Sequence, residues 1–325
     1  MTRPRAVGVR TPYPDIPERV RAWVSTELGS PVVSWSEQVG GFSPGCATRV
    51  VGADGTRAFV KAVGTELNPD TPTLFRREID VLALIGDDPL WAGLRASYDD
   101  GHWVALLLED VDGGHPDLAD DAQMGQLLLA ADALSDRLSR VVVPPGPHAQ
   151  EFAHPGLIDV RASFGRWLGA FDHLEEIPAE LLVSRVRDDT DRCRALVAGL
   201  LEDDERRLTH WDIRNDNLLR RDDGSIVFVD WGAAGVGPSW VDPLLARLER
   251  VESPWFDAAV ARSPALVAAG DDRVTGWLLG IGVYLAWRSI HPAGASLPTL
   301  NEFRRTEARR FLGAAARRLD TDLGG

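Results

Sequence analysis

His210-Trp211-Asp212-Ile213-Arg214-Asn215-Asp216-Asn217, followed by Val227-Phe228-Val229-Asp230-Trp231-Gly232, decides the fold of this chain. The first piece sets a carboxylate, Asp212, five residues ahead of a carboxamide, Asn217. The second ends an apolar strand-like run on another acid, Asp230. Between them Arg221-Asp222-Asp223-Gly224-Ser225 reads as the turn of a short hairpin. Taken singly, Asp212 and Asp230 are ordinary turn or helix-cap residues. Their weight comes from what precedes them. Of the 35 basic residues, Lys61 is the one lysine and the rest are arginine. A position that keeps lysine under such a bias calls for a compact ammonium rather than a planar fork. Lys61 lies inside an apolar run, Ala58-Phe59-Val60-Lys61-Ala62-Val63.

Outward from these two points the chain divides into unlike parts. Ile16 to Leu28 reads as an amphipathic helix, opened by Asp15 and Pro17 and stopped by Gly29. Pro31 to Val39 reads as a strand, and Gly40-Gly41-Phe42-Ser43-Pro44-Gly45 as a glycine-rich turn. Cys46 to Val51 and Thr56 to Val63 form a hairpin around Ala53-Asp54-Gly55, where Asp-Gly is a strong turn signal. Pro72 to Ile85 has helical periodicity and carries Glu78, and Val104 to Leu108 is a buried strand. Asp112-Gly113-Gly114-His115-Pro116 breaks the pattern. Beyond it lie helices over Leu118–Leu138, Ser163–Leu174, Val183–Glu202, Trp240–Val251, Trp255–Ala268, Asp272–Ile290 and Leu300–Leu319, with a hairpin near Asn217–Asp230. The expected architecture is α+β in two lobes: an N-terminal helical extension (1–30), a small mixed β-sheet lobe (31–108), a crossover (109–114) and a larger, mainly helical lobe (115–325). Ligands favour the cleft between such lobes.

The order of glycine turn, strand lysine, helix glutamate, H-x-D-x-x-x-x-N and Asp-aromatic-Gly resembles the aminoglycoside phosphotransferase and choline kinase group, the small-molecule branch of the protein-kinase-like fold. The likeness runs over roughly residues 32–248. It implies transfer of the γ-phosphoryl group of ATP or GTP to a hydroxyl of a small molecule, a reaction that asks the protein for positioning and charge neutralisation. By this resemblance Asp212 orients the acceptor hydroxyl and takes its proton. Asn217 and Asp230 hold Mg2+, which keeps several waters and is content with two protein ligands. Lys61 neutralises the nucleotide phosphates and Glu78 holds Lys61 in place. Glu66 is a competing partner, but it precedes Asn68-Pro69-Asp70 and reads as loop. Gly40, Gly41 and Ser43 bring backbone N–H groups to the phosphates. The carbonyl of Glu109 and the N–H of Val111 meet the adenine edge. His210 supports the loop, and Asp242 is a structural residue that braces it or begins a helix. Trp211 departs from the family pattern, standing where glycine is common. The alternative is a catalytically silent kinase-like protein that binds nucleotide or metabolite. Silent relatives usually lose the lysine, the loop aspartate or the metal aspartate, and this chain keeps all three.

Composition narrows the rest. With 325 residues, 44% hydrophobic and 26% charged, the chain has the make-up of a folded protein. Cys46 and Cys193 offer neither a disulfide framework nor zinc spacing. No apolar run reaches the ~18–20 residues of a membrane span, and the start shows no apolar signal core, so a cytoplasmic setting is expected. The net charge of −14 disfavours nucleic acid. Between Arg95 and Arg137 stand ten acids and no lysine or arginine, and these acids either draw a cationic acceptor such as an aminoglycoside or form a solvated acidic face.

Overall fold

In the computed structural model, residues 10–38, 43–292 and 299–321 are described. The sequence begins by building a helix to cover a sheet. In α1 (Glu18–Leu28) the buried residues Val20, Val24 and Leu28 recur every four positions, and Gly29, at φ 76°, ends the helix in a left-handed turn. Five antiparallel strands follow: β1 (Val32–Glu37), β2 (Cys46–Gly52), β3 (Arg57–Gly64), then, after helix α2 (Thr71–Ile85), β4 (Leu94–Asp99) and β5 (Trp103–Leu108). Their spatial order is β1-β2-β3-β5-β4.

Strand alternation gives this sheet two distinct faces. Ala58, Val60 and Ala62 of β3, with Trp103, Ala105 and Leu107 of β5, join α1 in one apolar cluster. The intervening Val63, with Val104, Leu106 and Leu108 of β5, belongs to the main core shared with α2 and the helical part. Lys61 lies in the second set of positions, paired across the ladder with Leu106 and Ala47. The period of two therefore turns the lysine toward α2 and leaves its neighbours to α1.

The rest is mainly helical. In chain order it holds α3 (Asp121–Ser139), β6 (Ile158–Asp159), α4 (Val160–Gly169), α5 (Ser184–Asp188), α6 (Thr190–Gly199), β7 (Arg207–Thr209), β8 (Leu218–Arg220), β9 (Ile226–Phe228), β10 (Gly235–Gly237), α7 (Val241–Leu245), α8 (Pro254–Ala261), α9 (Pro264–Ala269), α10 (Asp271–Arg288) and α11 (Leu300–Thr321). β8 and β9 form the expected hairpin, while β6, β10 and β7 make a small three-stranded sheet.

Several expected helices are shorter than their apolar patterns. Val183–Glu202 breaks at Asp189, whose φ of −139° is not helical. Trp255–Ala268 divides at Ser263-Pro264, because proline begins α9 and cannot continue α8. Trp240–Val251 is α7 followed by a separate short turn at Leu248–Arg250. Ser163–Leu174 starts three residues early, where the Asp159 carboxylate accepts the N–H groups of Arg161 and Ala162. β4 was not expected. It is an edge strand whose exposure alternates along small and polar residues.

One side chain ties α2 to the helical lobe. Arg77 is 1% exposed and meets no carboxylate among the described residues. Its Nε donates to Gly156 O (2.5 Å), Nη1 to Gly232 O (2.7 Å), and Nη2 to Phe152 O (3.0 Å) and His154 O (2.6 Å). Burial pulls the guanidinium down to about 10, so it stays charged at neutral pH. Arg77→Met should destabilise the protein by about 3 kcal/mol or more, because four buried carbonyls lose their donor. Urea unfolding followed by circular dichroism measures it; an unchanged midpoint would mean the contacts contribute nothing.

Candidate active site

The site forms where β3, α2 and the β8–β9 hairpin converge. Lys61 Nζ donates to Glu78 Oε2 at 2.5 Å and to Asp230 Oδ1 at 3.0 Å. It also lies 5.1 Å from the centre of the Phe75 ring, one turn before Glu78 on α2. Glu78 is 1% exposed, and its other oxygen accepts the Trp231 N–H at 3.4 Å. Glu78 rather than Glu66 thus meets the lysine; Glu66 accepts a hydrogen bond from Trp103 Nε1. Burial alone would pull the Lys61 ammonium down, but Asp230 and Glu78 together hold it above the ordinary lysine value. Burial pushes the Asp230 carboxyl up, yet Lys61 and Arg214 outweigh it and keep Asp230 at about 2, ionised. The Asp230 side chain is nevertheless 46% exposed, so a carboxylate oxygen opens to solvent beside a buried cation.

The loop ahead of the hairpin is held by Asp242. Its Oδ2 accepts the His210 N–H at 2.8 Å and its Oδ1 the Trp211 N–H at 3.0 Å. Burial lifts the Asp242 carboxyl to about 6 while these two amides pull it back. His210 is fully buried, and burial brings its imidazole down to about 4, so the ring is neutral. Nε2–H donates to Val229 O at 3.2 Å and Nδ1 accepts the Asp212 N–H at 3.4 Å. These two bonds fix the tautomer and link the loop to the strand that delivers Asp230.

Asn217 Nδ2 donates both to Asp212 O (2.9 Å) and to Asp212 Oδ2 (2.8 Å). The amide is thereby oriented with its oxygen turned away from Asp212. Arg214 Nε lies 3.5 Å from Asp212 Oδ1 and 2.9 Å from Asp216 Oδ1. Burial raises Asp212 to about 7, with Arg214 opposing. Asp216 and Arg214 were not singled out as partners by their spacing; among 34 arginines a functional one carries no compositional mark.

Two non-glycine residues here have left-handed backbones, Trp211 (φ 62°) and Asp230 (φ 67°). That conformation costs about 1–2 kcal/mol for most side chains, which accounts for glycine being common at the Trp211 position in the resembling family. The ring compensates through packing: it stacks on Trp167 (5.9 Å, 15°) and meets Phe164 edge-on. Trp211 therefore leans into the helical lobe.

At the remaining expected positions the geometry is as follows. Gly40 and Gly41 lie outside the described residues. Ser43 Oγ accepts the Gly45 N–H, and Gly45 packs so tightly that a Cβ there would lie 2.4 Å from Ala62 O. The crossover is clamped by the Asp110 carboxylate, which pairs with Arg49 (3.4 Å) and Arg57 (2.6 Å). Neither the Glu109 carbonyl nor the Val111 N–H is engaged among the described residues, while Arg49 takes the Val111 carbonyl. The ten-acid stretch is largely neutralised within the fold. Seven of its acids pair with arginine: Asp99, Asp100, Glu109, Asp110, Asp112, Asp121 and Asp136. Asp117 and Asp120 accept backbone N–H groups. A cavity of about 690 Å³, lined by Arg140, Val141–Pro145, His148, Arg206 and Arg207, includes none of the expected site residues.

Asp242 offers two acceptors to two amides, and an asparagine offers one. Asp242→Asn should destabilise by about 1–3 kcal/mol and lower turnover at least tenfold through a displaced loop, with nucleotide affinity within about twofold of wild type. Parallel melting and steady-state assays check this; full activity would show that the loop holds itself.

The profile of the phosphotransferase enzyme family (APH) matches residues 47–278. A search of curated protein sequences found no significant match. Among solved structures, a thermostable mutant of the aminoglycoside phosphotransferase APH(4)-Ia, in ternary complex with ADP and hygromycin B, aligns with a TM-score of 0.60 at 16% identity, covering 94% of this chain and 99% of that one. Choline kinase LicA from Streptococcus pneumoniae aligns with a TM-score of 0.60 at 14% identity, covering 92% and 98%. An aminoglycoside phosphotransferase from Alicyclobacillus acidocaldarius subsp. acidocaldarius DSM 446 gives 0.52 at 17% identity, covering 86% and 91%. These likenesses establish the kinase-like two-lobe fold, and because the family profile spans the small lobe, the crossover and the loop of Asp212 alike, the chain belongs to the phosphotransferase enzyme family.

Proposed function

We propose that this protein transfers the γ-phosphoryl group of ATP, or GTP, to a hydroxyl of a small molecule, directly and with Mg2+. The observation that carries this reading is the contact of one buried lysine with Glu78 from the small lobe and Asp230 from the large one. That contact brings a point charge suited to phosphate and a half-exposed carboxylate to the same cleft. The nucleotide complexes of the structural relatives, with ADP and with AMP, support a nucleotide donor.

The residues present fit a magnesium ion. Asp230 opens to solvent with one oxygen on Lys61, and Asn217 turns its amide oxygen away from Asp212. No group of three His, Cys, Asp or Glu ligands occurs among the described residues, which suits an ion that takes only one or two protein oxygens and completes its shell with phosphate and water. Asp230 and Asn217 would hold Mg2+, whose charge neutralises the phosphates during transfer. Lys61 would bind phosphate, kept in place by Glu78. Ser43, with Gly40 and Gly41, would present the turn to the phosphates. Glu109 O and Val111 N would receive the adenine. Asp212 would orient the acceptor hydroxyl and take its proton. With a carboxyl near 7, it is matched to that task at neutral pH.

Incubation of the protein with Mg2+, ATP and a panel of hydroxylated small molecules, read by mass spectrometry for an added phosphate, tests the reading. Asp212→Ala should lower kcat at least 10³-fold and leave ADP affinity intact; wild-type turnover would refute its role. Lys61→Arg should lose at least tenfold despite the retained charge.

The pH profile follows from the same geometry. Asp212 is protonated below about 7, so kcat/KM should fall about tenfold per pH unit on the acid side and level off above it. Arg214 pulls that carboxyl down, so Arg214→Gln should move the inflection to higher pH. An inflection unmoved by Arg214→Gln would assign it to another group.

A further inference from the structure

Arg49 of β2 lies on the same face of the sheet as Lys61. Across the β2–β3 ladder Ala47 stands opposite Lys61 and Arg49 opposite Phe59, and residues paired in this way share a face. On β3 that face carries Arg57, Phe59 and Lys61 in file, about 7 Å from one to the next. The crossover closes the far end of the file: Arg57 reaches Asp110 (2.6 Å) and Asp112 (2.7 Å), and Arg49 reaches Asp110 (3.4 Å). A molecule whose phosphates meet Lys61 and which extends along this face therefore brings its other end to the crossover.

The crossover offers that end a restricted edge. Arg49 Nη2 donates to the carbonyls of Val111 (3.2 Å) and Gly113 (3.4 Å). The Glu109 carbonyl and the Val111 N–H have no partner among the described residues, although Val111 is buried. The Asp110 carboxylate, 2% exposed, is held by its two arginines. What remains is one acceptor, Glu109 O, and one donor, Val111 N–H, followed by an acceptor already covered by a cation. The large lobe keeps this edge from shifting. Arg220 N–H donates to Gly114 O at 2.8 Å, and a Cβ on Gly113 would collide with Arg220 O.

Such an edge complements adenine and not guanine. Adenine presents the N6 amino donor beside the N1 acceptor, whereas guanine presents the O6 acceptor beside the N1–H and 2-amino donors. Adenine gives N6–H to Glu109 O and takes the Val111 N–H at N1. Guanine in that position sets O6 against Glu109 O and N1–H against the Val111 N–H, acceptor on acceptor and donor on donor. Moved along by one group, with O6 on the Val111 N–H, it needs the Val111 carbonyl for N1–H. That oxygen keeps a second lone pair, but a base N–H approaching it meets the N–H groups of the Arg49 guanidinium. The geometry points to Arg49 as the residue that makes the nucleotide site read adenine and refuse guanine. The assignment rests on the phosphotransferase reading above and narrows it: the phosphoryl donor is ATP and not GTP. Sites that leave a polar group unpaired against the wrong ligand discriminate strongly.

Titration calorimetry on the full chain with Mg2+, comparing ADP, GDP and inosine diphosphate, tests the assignment. ADP should bind about tenfold or more tightly than GDP. Inosine diphosphate shares O6 and N1–H with GDP but lacks the 2-amino group. It should bind as weakly as GDP, within about threefold, because the mismatch lies at O6 and N1. Arg49→Met keeps an apolar stem and removes the donors. It should cut the ADP-to-GDP affinity ratio by about fivefold or more, through tighter GDP binding, and Arg49→Lys should retain part of the ratio. The three diphosphates on the unaltered protein carry the test if Arg49→Met fails to fold. Equal binding of ADP and GDP, or inosine diphosphate binding as tightly as ADP, overturns the assignment. So does an Arg49→Met protein that weakens for both nucleotides in proportion, which is what a merely structural role would give. Equal binding accompanied by phosphate transfer from either triphosphate would leave the phosphotransferase reading standing. An Arg49-dependent preference for ADP, in a protein that transfers phosphate from ATP to no hydroxyl compound, would do the reverse. Binding of none of the three diphosphates removes both.

Discussion

A lysine ammonium buried between two carboxylates is the constraint around which the two lobes are arranged. An unpaired buried ammonium would lose its charge or unfold its surroundings. Lys61 keeps its charge because Glu78 reaches it from α2 and Asp230 from the far lobe. Glu78 can do so only if α2 lies against β3 and β5, and that packing is supplied by the apolar positions of the same helix, Phe75, Val81 and Leu82. Asp230 can do so only if β8 and β9 bring their hairpin against the small lobe, where Phe228 N–H bonds Leu90 O and Gly232 O bonds Arg77. Such a triad adds little net stability against an apolar replacement. Its consequence is geometric: the cation and the acid are fixed 3.0 Å apart across the lobe boundary.

The loop that carries Asp212 and the end of β9 hold backbone strain at Trp211 and Asp230, offset largely by anchors outside the loop. Asp242 holds the amides of His210 and Trp211, His210 holds the carbonyl of Val229, and Asn217 holds both ends of Asp212. The bonds to Asp242 and Val229 join residues 19 to 32 positions apart, so the loop would not keep this form alone, while Asn217 and Asp212 are tied within it. The left-handed backbone at Asp230 also turns the chain sharply at the end of β9, so that a carboxylate, rather than the next apolar residue, faces Lys61. Strained positions clustered around groups of perturbed pKa are characteristic of sites built for chemistry.

How much of this was legible in the sequence follows from how local each cause is. The β2–β3 hairpin was readable because Asp54-Gly55 sets its turn, and β3 because Lys61 interrupts an otherwise apolar run that follows it. The pairing of Lys61 with Glu78 over Glu66 was readable from helix against loop. β4 was not, because an edge strand of Arg, Ser and Asp alternating with half-buried residues lacks an apolar signature. The strands of two or three residues, β6, β7 and β10, exist only through tertiary pairing. Long helices were overread where apolar residues continued past a break, since periodicity does not report the φ of Asp189 or the proline at 264. Arg77 and Arg214 were hidden by composition. A buried arginine facing carbonyls and one facing an acid of the Asp212 loop are the same letter, repeated 34 times.

That last point bears on how charge is read in such proteins. The overall charge of −14 and the acid-rich stretch after Arg95 suggest a surface made for cations. In the folded chain most of those acids meet arginines at 2.5–3.4 Å, several of them from distant segments: Arg19 on Asp100, Arg221 on Glu109, Arg250 on Asp121. The field that a small ligand meets within a Debye length is set by the charges left over after such pairing rather than by their sum. Near Lys61 the remainder is an exposed carboxylate oxygen beside a phosphate-suited ammonium. A protein negative as a whole thus keeps a buried cation at the boundary of its two lobes, and a small ligand arriving there meets that local remainder rather than the net charge.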